Sequence, residues 1–216
     1  MKKYKIIFLI TMILPFLVTI VFLFFLPDSI PAHYNALGEI DRWGSKYEMI
    51  IIPIASLVMY GFFLLMIKIT KEKQNVKILL ISGIVMLIVF LVMTIVFNVK
   101  AYLITSNTTY NFNFDIYKIM SSMLGIVLII IAPLMKKAKL NSIFGLRTSY
   151  SMKNEKSWQI SQLYGCYIML ISGLIILIGS LFFLSGINCM ILLVVILLLD
   201  VILSYIFSKR AYKKSL

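Results

Sequence analysis

The chain contains one histidine, His33, in a short polar stretch that also holds Asp28, Glu39 and Asp41. An imidazole among carboxylates is the raw material of a general base or a metal site. The spacing supplies neither. There is no His-x-x-x-His, no cysteine pair and no nucleophile set beside a base, so a metal would need an unusual ligand set. We therefore expect no catalytic residue, no metal and no cofactor, and a protein that is not an enzyme.

Asp200 raises a different chemistry. It stands inside the apolar run "ILLLDVILSY", where an ionisable group is expensive unless paired, wetted or protonated. One reading makes it the coupling group of a small proton-coupled transporter or exporter. The other makes it a side chain hydrogen-bonded to a second helix, or one reaching towards Lys209. Arg147 is the third candidate, because a juxtamembrane guanidinium suits a lipid phosphate, an acidic side chain or a cytoplasmic partner. Cys166 and Cys189 begin two successive apolar runs a helix length apart, beyond disulfide reach, and read as packing residues.

The elements that must position these groups follow from composition. Hydrophobic residues make up 62% of the chain and charged residues 13%, far outside the range of a water-soluble domain. The apolar residues form uninterrupted blocks at 6–26, 49–69, 78–98, 116–135, 165–184 and 188–208. Each is long enough to cross a bilayer, and each must be helical because lipid offers the backbone no partner. The expected fold is an all-α integral membrane protein of six transmembrane helices. By sequence it divides into 1–69, two helices with an ordered loop at 27–48; 70–135, a middle helix pair; and 136–216, a polar loop and the last pair. The basic start resembles a signal peptide, but the first run is too long and lacks a cleavage site, so it reads as a retained anchor.

Charge sets the expected orientation. With both termini cytoplasmic, all but Arg42, Lys46, Lys100 and Lys118 of the 21 Lys and Arg residues fall on the inner side, as the positive-inside rule requires. The net charge of +13 is then a matter of topology and lipid contact, and requires no nucleic acid. The 27–48 loop lies outside. Pro27, Pro31, Asn35, Gly38 and Gly44 give it turn chemistry, and Trp43 and Tyr47 suit a membrane interface, so it reads as a folded cap. The 136–164 loop lies inside. There Asn154 is placed to cap a short helix with Glu155 in its first turn, which leads Trp158 to the inner interface and on into the fifth span.

Two patterns in these loops together resemble the SdpI family. The first is Leu26-Pro27-Asp28, then Ile30-Pro31-x-His33-Tyr34-Asn35-x-x-Gly38, then Asp41-x-Trp43-Gly44-Ser45-Lys46. The second is Asn141-x-x-x-Gly145-x-Arg147-Thr148 followed by Asn154-Glu155-x-x-Trp158, with Ser149 where many relatives carry proline. The resemblance implies a membrane immunity protein that guards a bacterium against a secreted toxin peptide. It also implies a receptor that holds a transcriptional autorepressor at the membrane, although some relatives protect without signalling. On that basis Pro31, His33, Asn35, Gly38, Asp41, Trp43 and Lys46 are candidates for toxin recognition. Asn141, Gly145, Arg147, Thr148, Asn154, Glu155 and Trp158 are candidates for contact with a cytoplasmic partner or lipid.

Overall fold

The computed structural model describes residues 1–35, 38–106 and 115–216. Among the described residues, six helices are long and apolar enough to cross a membrane. They are α1 (Lys2–Leu23), α2 (Ile51–Ile69), α3 (Lys73–Thr105), α4 (Ile116–Met135), α5 (Glu155–Ile178) and α6 (Ile187–Ser215). All six apolar blocks are therefore helical. The expectation of an all-α chain needs one correction. Between α1 and α2 the chain forms an antiparallel hairpin of β1 (Ser29–Tyr34) and β2 (Ile40–Ser45), followed by a single 3-10 turn over Lys46–Ile50 that leads into α2.

Some helices reach past their apolar blocks into polar residues. α3 starts five residues before its block and ends seven after it, and α5 starts ten residues early. The reason at α5 is its cap. Asn154 has extended backbone, and its Oδ1 accepts the Ser157 N–H at 2.7 Å, while Glu155 places a carboxylate by the helix N-terminus. The short helix expected there is thus the first turns of α5 itself. The far end of α5 widens into a π turn over Gly179–Phe183, and Gly186, at φ 56°, makes the turn into α6.

The chain forms two units. One comprises Met1–Leu65 with Leu80–Ile116, the other Met66–Leu79 with Tyr117–Leu216. In the first, Leu26, Ile30, Met49 and Ala101 make a buried cluster with Phe22 and Phe97 against it, which ties the hairpin to α1 and α3. Deeper in this unit, Phe8 stacks on Tyr60 at 4.5 Å and meets Phe63 edge-on. Gly83 keeps that contact possible, because a Cβ there would lie 2.7 Å from the Phe8 ring.

In the second unit, α4 and α5 cross backbone to backbone. A Cβ on Gly173 would lie 2.7 Å from the Gly125 carbonyl oxygen, and one on Gly125 would lie 2.9 Å from that of Gly173. Small residues permit this approach, which apolar surfaces in lipid use in place of a hydrophobic driving force. Both cysteines are free and buried.

Candidate functional site

The two patterned loops are built on different physics. In the hairpin, charged side chains pair with one another near the surface. His33 Nδ1 lies 2.6 Å from Asp41 Oδ1. Arg42 grips Glu48 with both guanidinium nitrogens, at 3.2 and 2.8 Å. Lys46 reaches Asp28 at 3.0 Å. Asn35 closes the turn: its Oδ1 accepts the Glu39 N–H, and its Nδ2 donates to the Glu39 carboxylate. Gly38 takes φ 82°, a conformation that glycine adopts without penalty. Gly44 serves another purpose. Its Cβ would run into the Glu48 carboxylate and lie 2.7 Å from the Ala32 Cβ, so the strand requires its absence.

The two strands of the hairpin differ in burial. Ile30 and Pro31 are buried, while β2 is exposed along most of its length. Trp43 pairs with Pro31 in the ladder yet is 53% exposed, and Tyr47 beside it is 61% exposed. Tyr34, at the end of β1, lies under the Lys100 ammonium, 3.7 Å from its ring centroid. Burial pushes the Tyr34 phenol up to about 12, so it remains a neutral ring beneath that cation at ordinary pH. Among the described residues no group of three or more His, Cys, Asp or Glu is placed to hold a metal ion.

In the loop between α4 and α5, polar side chains bind backbone instead. Asn141 accepts the N–H groups of Ile143 and Phe144 and donates to the carbonyls of Lys139 and Phe144. Thr148 and Ser151 exchange side chain for backbone. The Thr148 N–H donates to Ser151 Oγ and the Ser151 N–H to Thr148 Oγ1. The Thr148 hydroxyl then donates to Ser208 on α6 at 2.7 Å. Asn154 adds a second tie to α6 by donating to Ser215 at 3.2 Å.

Trp158 departs from its expected place at the membrane interface. It is 1% exposed, packs with Ile78 and Ala138, and donates its indole N–H to the Ala138 carbonyl at 2.7 Å. That bond lets an indole be fully buried. Gly145 has φ 111°, and a Cβ there would collide with the side-chain amide of Gln162.

Two residues that the sequence reading did not single out organise this loop. Gln162 of α5 accepts the Leu146 N–H at 2.9 Å and donates to the Leu146 carbonyl at 3.0 Å. Asn75, in the first turn of α3, does the same for Lys139, at 3.0 and 3.2 Å. Each amide satisfies both main-chain groups of one loop residue, where unpaired groups would be costly. The available signal was a polar residue near the end of a span, in "NVKILL" and "SQLYGC".

Most of the loop's candidate residues are thereby engaged in holding the chain. Arg147 and Glu155 are the exceptions, since both are exposed. Arg147 has no hydrogen bond or ion pair to any described residue. Asp200 stands apart from both loops and accepts a hydrogen bond from Ser172 of α5 at 2.5 Å, the helix-to-helix partner that one of its two readings required.

Six long apolar helices, a structured hairpin after the first and a pinned loop before the fifth define a multi-pass membrane protein. Residues 137–208 match the SdpI/YfhL protein family, and residues 10–57 match a domain of unknown function, DUF1648. By these matches the chain resembles the SdpI/YfhL family. It is 29% identical over 215 residues to the immunity protein SdpI of Bacillus subtilis (strain 168), covering 99% of this chain and 98% of that one. It is also 29% identical over 98 residues to the uncharacterized protein YfhL of the same organism, covering 44% of this chain and 87% of YfhL. No solved structure matches it.

Proposed function

We propose that this chain is a membrane immunity protein. It resides in a bacterial cell membrane with both termini cytoplasmic, and it protects the cell from a secreted toxin peptide. The observation that carries this reading is likeness to an immunity protein along nearly the whole chain. The hairpin then faces the outside, where a hydrophobic peptide partitioning into the membrane meets Trp43 and Tyr47 first. The loop between α4 and α5 faces the cytoplasm and presents Arg147 to a lipid phosphate or to a repressor held at the membrane. For toxin to alter that inner face, it must bind one arrangement of the helices better than another.

The role is one of binding, with no bond made or broken. The test is expression in sensitive bacteria challenged with a panel of secreted antimicrobial peptides. Survival should rise for at least one peptide, and His33→Ala or Trp43→Ala should abolish the gain at unchanged membrane levels. A chain that protects against none of the panel removes the reading.

A further inference from the structure

The hairpin has two strands, so each has an outer edge, and these edges are unequal. The Lys46 N–H donates to the Asp28 carbonyl at 3.1 Å, and Ser29 pairs with Ser45, Ile30 with Gly44 and Pro31 with Trp43. In an antiparallel ladder, bonded and non-bonded pairs alternate. Counting from the Asp28–Lys46 bond, Ile30–Gly44 is a bonded pair and Pro31–Trp43 a non-bonded one. Residues of a non-bonded pair turn their main-chain groups away from the partner strand. On β1 those positions are Ser29 and Pro31, and Pro31 has no N–H to offer, so the edge of β1 is blunted there. On β2 the partner of Pro31 is Trp43, whose N–H and carbonyl both point outward.

The Ser45 N–H is taken by the Glu48 carboxylate. Beyond Arg42 the ladder is bulged, with register shifts on both sides of His33. One donor and one acceptor remain on residue 43, spaced to exchange two hydrogen bonds with a single residue of an extended chain. The geometry points to main-chain recognition of an extended peptide, one residue of which pairs antiparallel with Trp43 at the open edge of β2.

The hairpin's charges indicate what kind of peptide this is. Asp28 is paired with Lys46 and Glu48 with Arg42, Asp41 is bonded to His33, and Glu39 is held by Asn35 at the turn, so beside residue 43 the edge offers main-chain groups and the exposed rings of Trp43 and Tyr47. The occupant is an uncharged, apolar extended segment lying at the membrane surface. This inference rests on the reading of the hairpin as the recognition face, and it names how that face binds.

The chain has two tryptophans, so protein labelled with 15N-tryptophan in lipid nanodiscs gives two backbone amide signals. Trp158, inside α5, serves as the internal reference. The probe is a short synthetic peptide of alternating valine and threonine with blocked ends. It should shift the Trp43 amide and slow its hydrogen exchange by about tenfold, leaving Trp158 unchanged. The same peptide N-methylated at alternate residues should do neither. Trp43→Phe, which keeps an aromatic ring and the outward N–H, should still bind a fluorescent form of the probe, whereas Trp43→Pro, which lacks both, should not. An unshifted Trp43 amide, or equal shifts from both peptides, overturns the proposal. The cell-protection assay is scored separately. Protection without peptide pairing refutes the edge and keeps the immunity reading, and pairing without protection does the reverse.

Discussion

The hairpin after α1 and the loop before α5 carry similar kinds of residue and use them in opposite ways. In the hairpin, the backbone ladder holds the shape, and Asp28, His33, Asp41, Arg42, Lys46 and Glu48 pair at its surface. In the loop there is no ladder. The backbone has the amides of Asn75, Asn141 and Gln162 and the hydroxyls of Thr148 and Ser151 as partners. In the hairpin Trp43 keeps an exposed ring, whereas the patterned residues of the loop are mostly committed to structure. The difference teaches that a sequence pattern alone does not say which of its residues face a partner.

Substitutions should separate the two regions, and the loop should respond most. Gln162→Leu leaves the buried Leu146 N–H without a partner, at a cost of about 1–3 kcal/mol, and leaves its carbonyl with the Ser151 hydroxyl alone. Thermal unfolding in detergent should show the largest loss here, with Asn75→Leu close behind. Gly145→Ala should approach the same loss, since it combines a positive φ with a clash against Gln162. A melting curve like that of wild type for all three variants would mean that the amide clamps do not hold the loop.

Trp158→Phe comes next. It keeps an aromatic ring but strands the Ala138 carbonyl, which should cost about 1–3 kcal/mol. The same melting measurement checks it, and an unchanged midpoint would return Trp158 to the interface role. In the hairpin, exposed ion pairs contribute little, so Arg42→Ala should leave the melting midpoint within error. A large destabilisation there would erase the contrast. Asp200→Asn should have the smallest effect, because an amide oxygen still accepts from Ser172. Full protection of cells by this variant would argue against a proton-coupled role, and selective loss of protection would favour one.

How much was legible follows the same division. The six spans were readable because lipid tolerates only long apolar helices, and each block declares itself without reference to the others. The hairpin's order was readable from Pro31, Asn35 and Gly38, whose turn chemistry is local, although the strands themselves were not foreseen. The Asn154 cap was local too. Trp158 was misplaced because its acceptor, the Ala138 carbonyl, is twenty residues away. Asn75 and Gln162 were missed for the same reason, since each finds its partner through a long-range contact. Arg147 drew notice as a cation, but its exposure becomes meaningful only once its neighbours are seen to be engaged.

The most direct test of the account is survival under peptide challenge, measured for wild type and Trp43→Ala at matched membrane levels and matched melting midpoints. The account predicts that wild type raises survival against at least one secreted antimicrobial peptide and that Trp43→Ala, still folded, does not. Equal protection by both chains would contradict it, as would protection by neither.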